Sequence, residues 1–167
     1  MASVSGLSRD QRIQCRERVV QAALLGLSNT AQVHYTMDGR RWSGIAERRN
    51  ARLGQFPPHS DCSAFATWCL WNGLFLGFGL GDLVNGAGWT GGFTGTMLEH
   101  GKPVRHLANV RRGDCVLYGS GPPGNHVTIV VGKQGGAPVV VSHGSEPGPF
   151  KLAYSYRNDV MEIRRYI

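Results

Sequence analysis

His59-Ser60-Asp61-Cys62-Ser63-Ala64-Phe65-Ala66-Thr67-Trp68-Cys69-Leu70-Trp71 follows directly on Pro57-Pro58. Ser60 or Asp61 is a natural cap for a strongly apolar helix, because a side-chain oxygen just ahead of the first turn satisfies amides that no carbonyl reaches. Cys62 then falls in the first turn, while Cys69 lies two turns deeper among Phe65, Trp68 and Leu70. A helix this apolar must be covered, so the flanking segments have to supply packing partners.

Upstream, Ser8 can cap a helix whose apolar positions Ile13, Val19, Val20, Ala23, Leu24 and Leu27 recur at helical spacing, with Ser28-Asn29 as its stop. Cys15 lies within it and reads as buried. Val33 to Pro58 mixes Tyr35, Trp42 and Phe56 with Arg40, Arg41, Arg48, Arg49 and Arg52. It reads as a surface connection with a short helix around Gly44 to Leu53, and its arginines as a solvated face.

Downstream, Gly73 to Gly95 holds nine of the 24 glycines and reads mostly as loop, followed by a short helix from about Thr94 to His100 that Gly101 and Pro103 stop. It contains no Walker-type or dinucleotide fingerprint. From Arg112 onward the period changes. Cys115 to Gly119, His126 to Gly132, Ala137 to His143 and Val160 to Ile167 are β-branched runs separated by Gly/Pro turns. Helices first and an antiparallel sheet afterwards predict an α+β fold. The 167 residues, 41% hydrophobic, fit one domain, with residues 1–30 as N-terminal helix, 31–60 as arginine-rich connection and 61–167 as catalytic core.

No stretch approaches the roughly 18 uninterrupted apolar residues of a membrane span, and Met1 to Arg9 lacks a basic-then-apolar export signal. The expectation is a soluble monomer. The cysteines Cys15, Cys62, Cys69 and Cys115 form no C-x-x-C pair, so four reduced thiols are expected. A net charge of +7 draws the protein towards polyanions without choosing among nucleic acid, membrane and cell wall. The chain carries no nucleic-acid motif, and Trp68 and Trp71 sit in an apolar helix, so nucleic-acid binding is not the expectation.

A thiol is a useful nucleophile only as thiolate, and a helix N-terminus lowers its pKa through the dipole and unpaired amides. Cys62 alone among the four cysteines holds that place. The amides of Cys62 or Ser63 could also hold an oxyanion, with Asp61 supporting the turn. His126 opens an apolar strand after Gly121-Pro122-Pro123-Gly124-Asn125, where a strand-edge imidazole can face a helix end and act as base. His143, at the end of the next strand, can lie beside His126 in a hairpin and fix its tautomer; Glu146 is the rival for that role. His59, three residues before Cys62, is poorly placed as base. A zinc site from Cys62, His126 and His143 lacks paired-ligand spacing, so neither a metal nor a cofactor is expected.

Asp61-Cys62-Ser63, Gly113-Asp114-Cys115-Val116-Leu117-Tyr118, His126-Val127-Thr128-Ile129-Val130-Val131-Gly132 and Ser142-His143-Gly144, in that order, resemble the NlpC/P60 superfamily of cell-wall cysteine peptidases. The resemblance implies a papain-like α+β fold, a Cys62-His126-His143 triad, and cleavage of peptide bonds in bacterial peptidoglycan, with Tyr35 lining the site. The CHAP amidases and endopeptidases share the Cys-then-His order. His34-Tyr35-Thr36 and Val141 to Pro149 are similar to the peptidase domains of actinobacteriophage lysins, which implies a host cytoplasm before lysis and the wall as target. Two positions depart from the family pattern: Ala64 replaces its small residue after Asp-Cys-Ser, and Cys115 an aliphatic. The glycine-rich stretch from Gly73 to Gly101 lengthens the gap between Cys62 and His126 and reads as part of a substrate groove. The same triad would serve a thioesterase or acyltransferase, and a non-enzymatic alternative is a basic module for wall polymer or nucleic acid.

Overall fold

Ser8 caps the first helix, α1 (Arg9–Ser28), through a reciprocal pair of bonds: its hydroxyl accepts from the Gln11 amide at 3.1 Å, and Gln11 Oε1 accepts from the Ser8 amide at 2.9 Å. A computed structural model describes residues 3–167; Met1 and Ala2, the start of the segment read for an export signal, lie outside them. In chain order follow β1 (His34–Tyr35), α2 (Ser43–Ala46), β2 (His59–Ser60), α3 (Cys62–Phe78), α4 (Thr94–Glu99), β3 (Lys102–Pro103), β4 (Cys115–Tyr118), β5 (His126–Gln134), β6 (Ala137–Ser142), β7 (Phe150–Ala153) and β8 (Val160–Arg165). The architecture is α+β, with helices on an antiparallel sheet.

The buried face of α1 is Cys15, Val19, Val20, Ala22, Ala23 and Gly26, and the larger Ile13 and Leu24 stay 45% and 37% exposed. Periodicity had placed those two inward. The face is instead set by how closely α3 crosses. Phe65 of α3 lies over Gly26, where an added Cβ would come within 2.5 Å of its ring, so small residues occupy the seam.

The second departure lies in α3 itself, which runs through Gly73 and Gly77 to Phe78 before Gly79 closes it in the left-handed region at φ 65°. Gly73 is a contact glycine and not a loop residue: a Cβ there would sit 2.5 Å from Val19 Cγ2 and 2.7 Å from the Cys15 carbonyl oxygen. Helix propensity alone favours Gly73→Ala by about 1 kcal/mol. Because one clashing atom is backbone, we expect the variant to lose about 1–3 kcal/mol net, read by urea unfolding. A gain in stability would show that α1 and α3 part freely.

Beyond Gly79 the chain is a loop built around one carboxylate: Asp82 accepts from the amides of Val84 and Asn85 on Oδ1 and of Ala87 and Trp89 on Oδ2. Asn85 then donates to Thr67 Oγ1 at 3.0 Å, tying the loop to α3.

The main sheet has the order β3-β8-β4-β5-β6-β7, every neighbouring pair antiparallel, and β1 and β2 form a separate short parallel pair. Strands β3 and β7 escaped the sequence reading because both are short edge strands with largely exposed side chains and no alternation. One face of the sheet carries Leu117, Val127, Ile129 and Val141 into the core shared with α1 and α3. The other face carries a smaller cluster of Val116, Tyr118, Val130, Val140 and Ile163. Among the described residues no helix is long and apolar enough to cross a membrane.

Candidate active site

Asp61 is the N-cap of α3, and its carboxylate is fully occupied: Oδ1 accepts from the Ala64 amide at 2.7 Å and the Ser63 hydroxyl at 3.0 Å, and Oδ2 from Arg41 Nη1 at 2.6 Å. Its side chain is 2% exposed. Asp61 is thus an anchor for the helix start, and the Ser63 hydroxyl points back at it. This anchoring presents Cys62 at the first helical position with its sulfur near the amides of Val127 and Ser63 and its own amide.

All four cysteines are free; Cys15, Cys69 and Cys115 are buried, and only Cys62 keeps partial exposure. Burial pushes the Cys62 thiol up to about 11, with the Asp61 charge adding to the rise and the three amides opposing it. The helix start therefore does not lower this thiol below its ordinary value, as position alone suggested. Desolvation and the capping carboxylate outweigh the amides.

His126 opens β5 opposite Tyr118 of β4. Its Nε2 is 2.8 Å from Ser142 Oγ, which in turn is 3.2 Å from the Tyr156 hydroxyl, and its ring packs against Tyr118 and Tyr156 at centroid distances of 5.7 and 6.4 Å. Nδ1 makes no hydrogen bond among the described residues. Burial, then the nearby Arg157 cation, lower the imidazole to about 4, so it is neutral and able to accept a proton at neutral pH.

His143 is placed elsewhere. Its Nδ1 lies 2.7 Å from Ser60 Oγ, its ring meets Phe65 and Tyr35 edge-on at 5.8 and 5.5 Å, and its Nε2 is buried without a hydrogen-bond partner among the described residues. The hairpin register explains the separation. Gln134 faces Ala137 and Gly132 faces Val139, but after a bulge Val130 faces Val140 and Thr128 faces Ser142. Without that extra residue Thr128 would face His143, and His143 would share a sheet face with His126. The bulge exchanges the faces of β6, so Ser142 reaches His126 and His143 turns towards α3.

Glu146 also stays away from His126: it accepts from the Tyr35 amide at 2.6 Å and lies 3.4 Å from His34 Nδ1, half exposed. Tyr35 sits close enough to Cys62 and Asp61 for both charges, after burial, to raise its phenol, and its hydroxyl meets Met37 Sδ at 3.1 Å. His59 packs against His34 at 5.7 Å. The structure therefore gathers Cys62, Ser63, Asp61, Tyr35 and His143 around the start of α3; His126 adjoins Val127, whose amide lies near the Cys62 sulfur, but its ring sits on the other sheet face with Tyr118, Ser142 and Tyr156. Tyr156 is not singled out from sequence, and Ser60, Ser142 and Arg41 enter it only as an alternative cap, part of a motif and part of a solvated arginine run. A serine and a tyrosine in ordinary strands and turns carry no local signal. Among the described residues no three His, Cys, Asp or Glu side chains gather as a metal site.

Both histidines are lowered to about 4 from an ordinary 6.5, chiefly by burial. The unfolded chain binds their protons near pH 6.5 and the folded chain only near pH 4, so stability is fullest above 6.5 and is lost as pH falls through this window. We expect roughly 2–3 kcal/mol lost per ring by pH 4, read from denaturant midpoints between pH 7.5 and 4. A flat profile there would mean that the rings are not desolvated.

No family model and no curated protein matches this chain.

Proposed function

We propose that this chain is a papain-like cysteine peptidase of the NlpC/P60 type that cleaves peptide bonds in bacterial peptidoglycan, in the manner of a phage lysin peptidase. The observation that carries the reading is the start of α3, where the partly exposed Cys62 sulfur lies near the Val127 amide, one residue from an imidazole whose Nε2 is held by Ser142 and whose Nδ1 is free among the described residues. The wall as substrate rests on the motif resemblance and agrees with the +7 charge.

Because the resting thiol and imidazole are both neutral, proton transfer accompanies attack. His126 Nδ1 takes the Cys62 proton as sulfur bonds to the carbonyl carbon, and the new oxyanion is held by the amides at the helix start. The carbon–nitrogen bond then breaks, and the leaving amine takes the proton from His126. Water, deprotonated by the same imidazole, attacks the thioester, releases the acid and returns the proton to Cys62. Ser142 holds the ring in orientation, the part His143 was expected to play. His143 and Tyr35 form one wall beside the nucleophile.

Digestion of purified peptidoglycan, followed by mass spectrometry, tests the substrate. The expected products carry new free amino termini and no new reducing sugar ends. A chain that releases no amine but hydrolyses an acyl thioester would be a thioesterase on the same residues.

A further inference from the structure

The arginines that dominate the sequence are largely spent within the protein. Arg40 pairs with Asp38, Arg41 with Asp61 and Arg49 with Glu47, while Arg48 lies over the Phe75 ring. The unmatched positive charge collects elsewhere, in a cleft of about 570 Å³ where α1 meets the turn before β4 and the far part of β5. Arg16, Arg111, Arg112 and Lys133 line it together with one acid, Glu17, and Ile13 and Val110 give it apolar surface.

The acids nearby neutralise it only in part. Glu17 pairs with Arg112 at 2.9 Å, and Asp114 is taken up by Arg165 through two bonds of 2.8 and 2.7 Å. Among the described residues Lys133 donates only to the carbonyls of Leu107 and Ala108. The Arg111 guanidinium is exposed and has no hydrogen bond or ion pair among the described residues. Arg16 donates from Nη2 to the Ile167 carbonyl at 3.0 Å, but its Nε is buried with no partner among the described residues. A buried guanidinium N–H left unpaired among further cations is a donor awaiting an anion. Burial and the charges of Arg111 and Arg165 also lower the Arg16 pKa, with the Asp114 charge opposing them in part.

We propose that this cleft binds a phosphate group carried on a small organic moiety, with Arg16, Arg111 and Lys133 on the phosphate and Ile13 and Val110 against its carrier. The volume exceeds what a bare phosphate fills and suits a small organic ligand. Gly132 and Lys133 lie six and seven residues along β5 from His126, roughly 20 Å from the candidate active site, so the two sites are separate.

The test is titration of the ¹⁵N-labelled full chain with glycerol 3-phosphate, AMP and inorganic phosphate, followed by amide NMR. We expect shifts concentrated at Gly113, Gly132 and Lys133, with at least one organic phosphate binding more tightly than inorganic phosphate; the tighter of the two identifies a polyol or a nucleoside carrier. Arg111→Gln should weaken that binding about tenfold, whereas Arg52→Gln, at an exposed arginine outside the cleft, should leave it unchanged. Shifts scattered over the surface, inorganic phosphate binding as tightly as both organic ones, or equal losses in the two variants would overturn the assignment. The readout is binding, so it stands or falls independently of peptidase activity.

Discussion

With Cys62 replaced by Ala, the protein is expected to fold as before and to release no measurable amine from peptidoglycan, a loss of about 10³-fold or more. Folding should survive because the sulfur lies at a partly exposed helix start, and the bonds that hold that start are made by Asp61, Ser63, Ala64 and Arg41. The informative partner is Cys69→Ala. That thiol is fully buried and its pKa is raised well above the ordinary value, so it has no means of acting as a nucleophile, and its removal should cost stability but not turnover. Mass spectrometry of wall digests and a thermal melt on each variant separate the two effects. Persistent cleavage by Cys62→Ala would move the chemistry to another residue.

Asp61→Asn should change two quantities in opposite senses. Asparagine retains an acceptor for the Ala64 amide, but the negative charge that pairs with Arg41 and raises the Cys62 thiol disappears. Arg41 keeps only 23% side-chain exposure, so it is left mostly desolvated beside a neutral group. Breaking a buried pair on one side costs about 3–5 kcal/mol, and the residual exposure of Arg41 reduces this to about 2–3 kcal/mol. At the same time the thiol should ionise at lower pH. Chemical denaturation reads the first effect, and the onset of Cys62 alkylation across a pH series reads the second. An unchanged onset would mean that burial alone sets the thiol, and that the cap has no electrostatic hold on the nucleophile.

The two variants also bear on how much of the site was legible without coordinates. Cys62 was identifiable because capping is local: Asp61 and the apolar run after it specify a helix start within a few residues, and a side chain at that start is fixed in place by the same geometry. His126 was identifiable because a glycine-proline turn followed by β-branched residues marks the beginning of a strand. The partner of His126 was not identifiable, since choosing between Ser142 and His143 requires knowing whether the β5–β6 hairpin contains a bulge. One extra residue, Val131, reverses which side chains share a face, and Gly132 beside it is too weak a mark to place the bulge from sequence.

The charged residues follow the same division. Net charge and the Arg40 to Arg52 run are visible in composition, yet pairing in space neutralises most of that run and leaves Arg16 and Arg111, distant in sequence, as the concentrated positive site. The sequence by itself determined the α+β class, the cap of α1, the start of α3 at Ser60 or Asp61, the central strands and the candidacy of Cys62 and His126, all consequences of interactions within a few residues. Only the tertiary structure decided the inward face of α1, the extension of α3 through Gly73, the assignment of Ser142 to His126 and the protonation of the thiol. Each of these depends on a helix crossing, a strand register or a degree of burial, and such contacts join residues far apart in the chain.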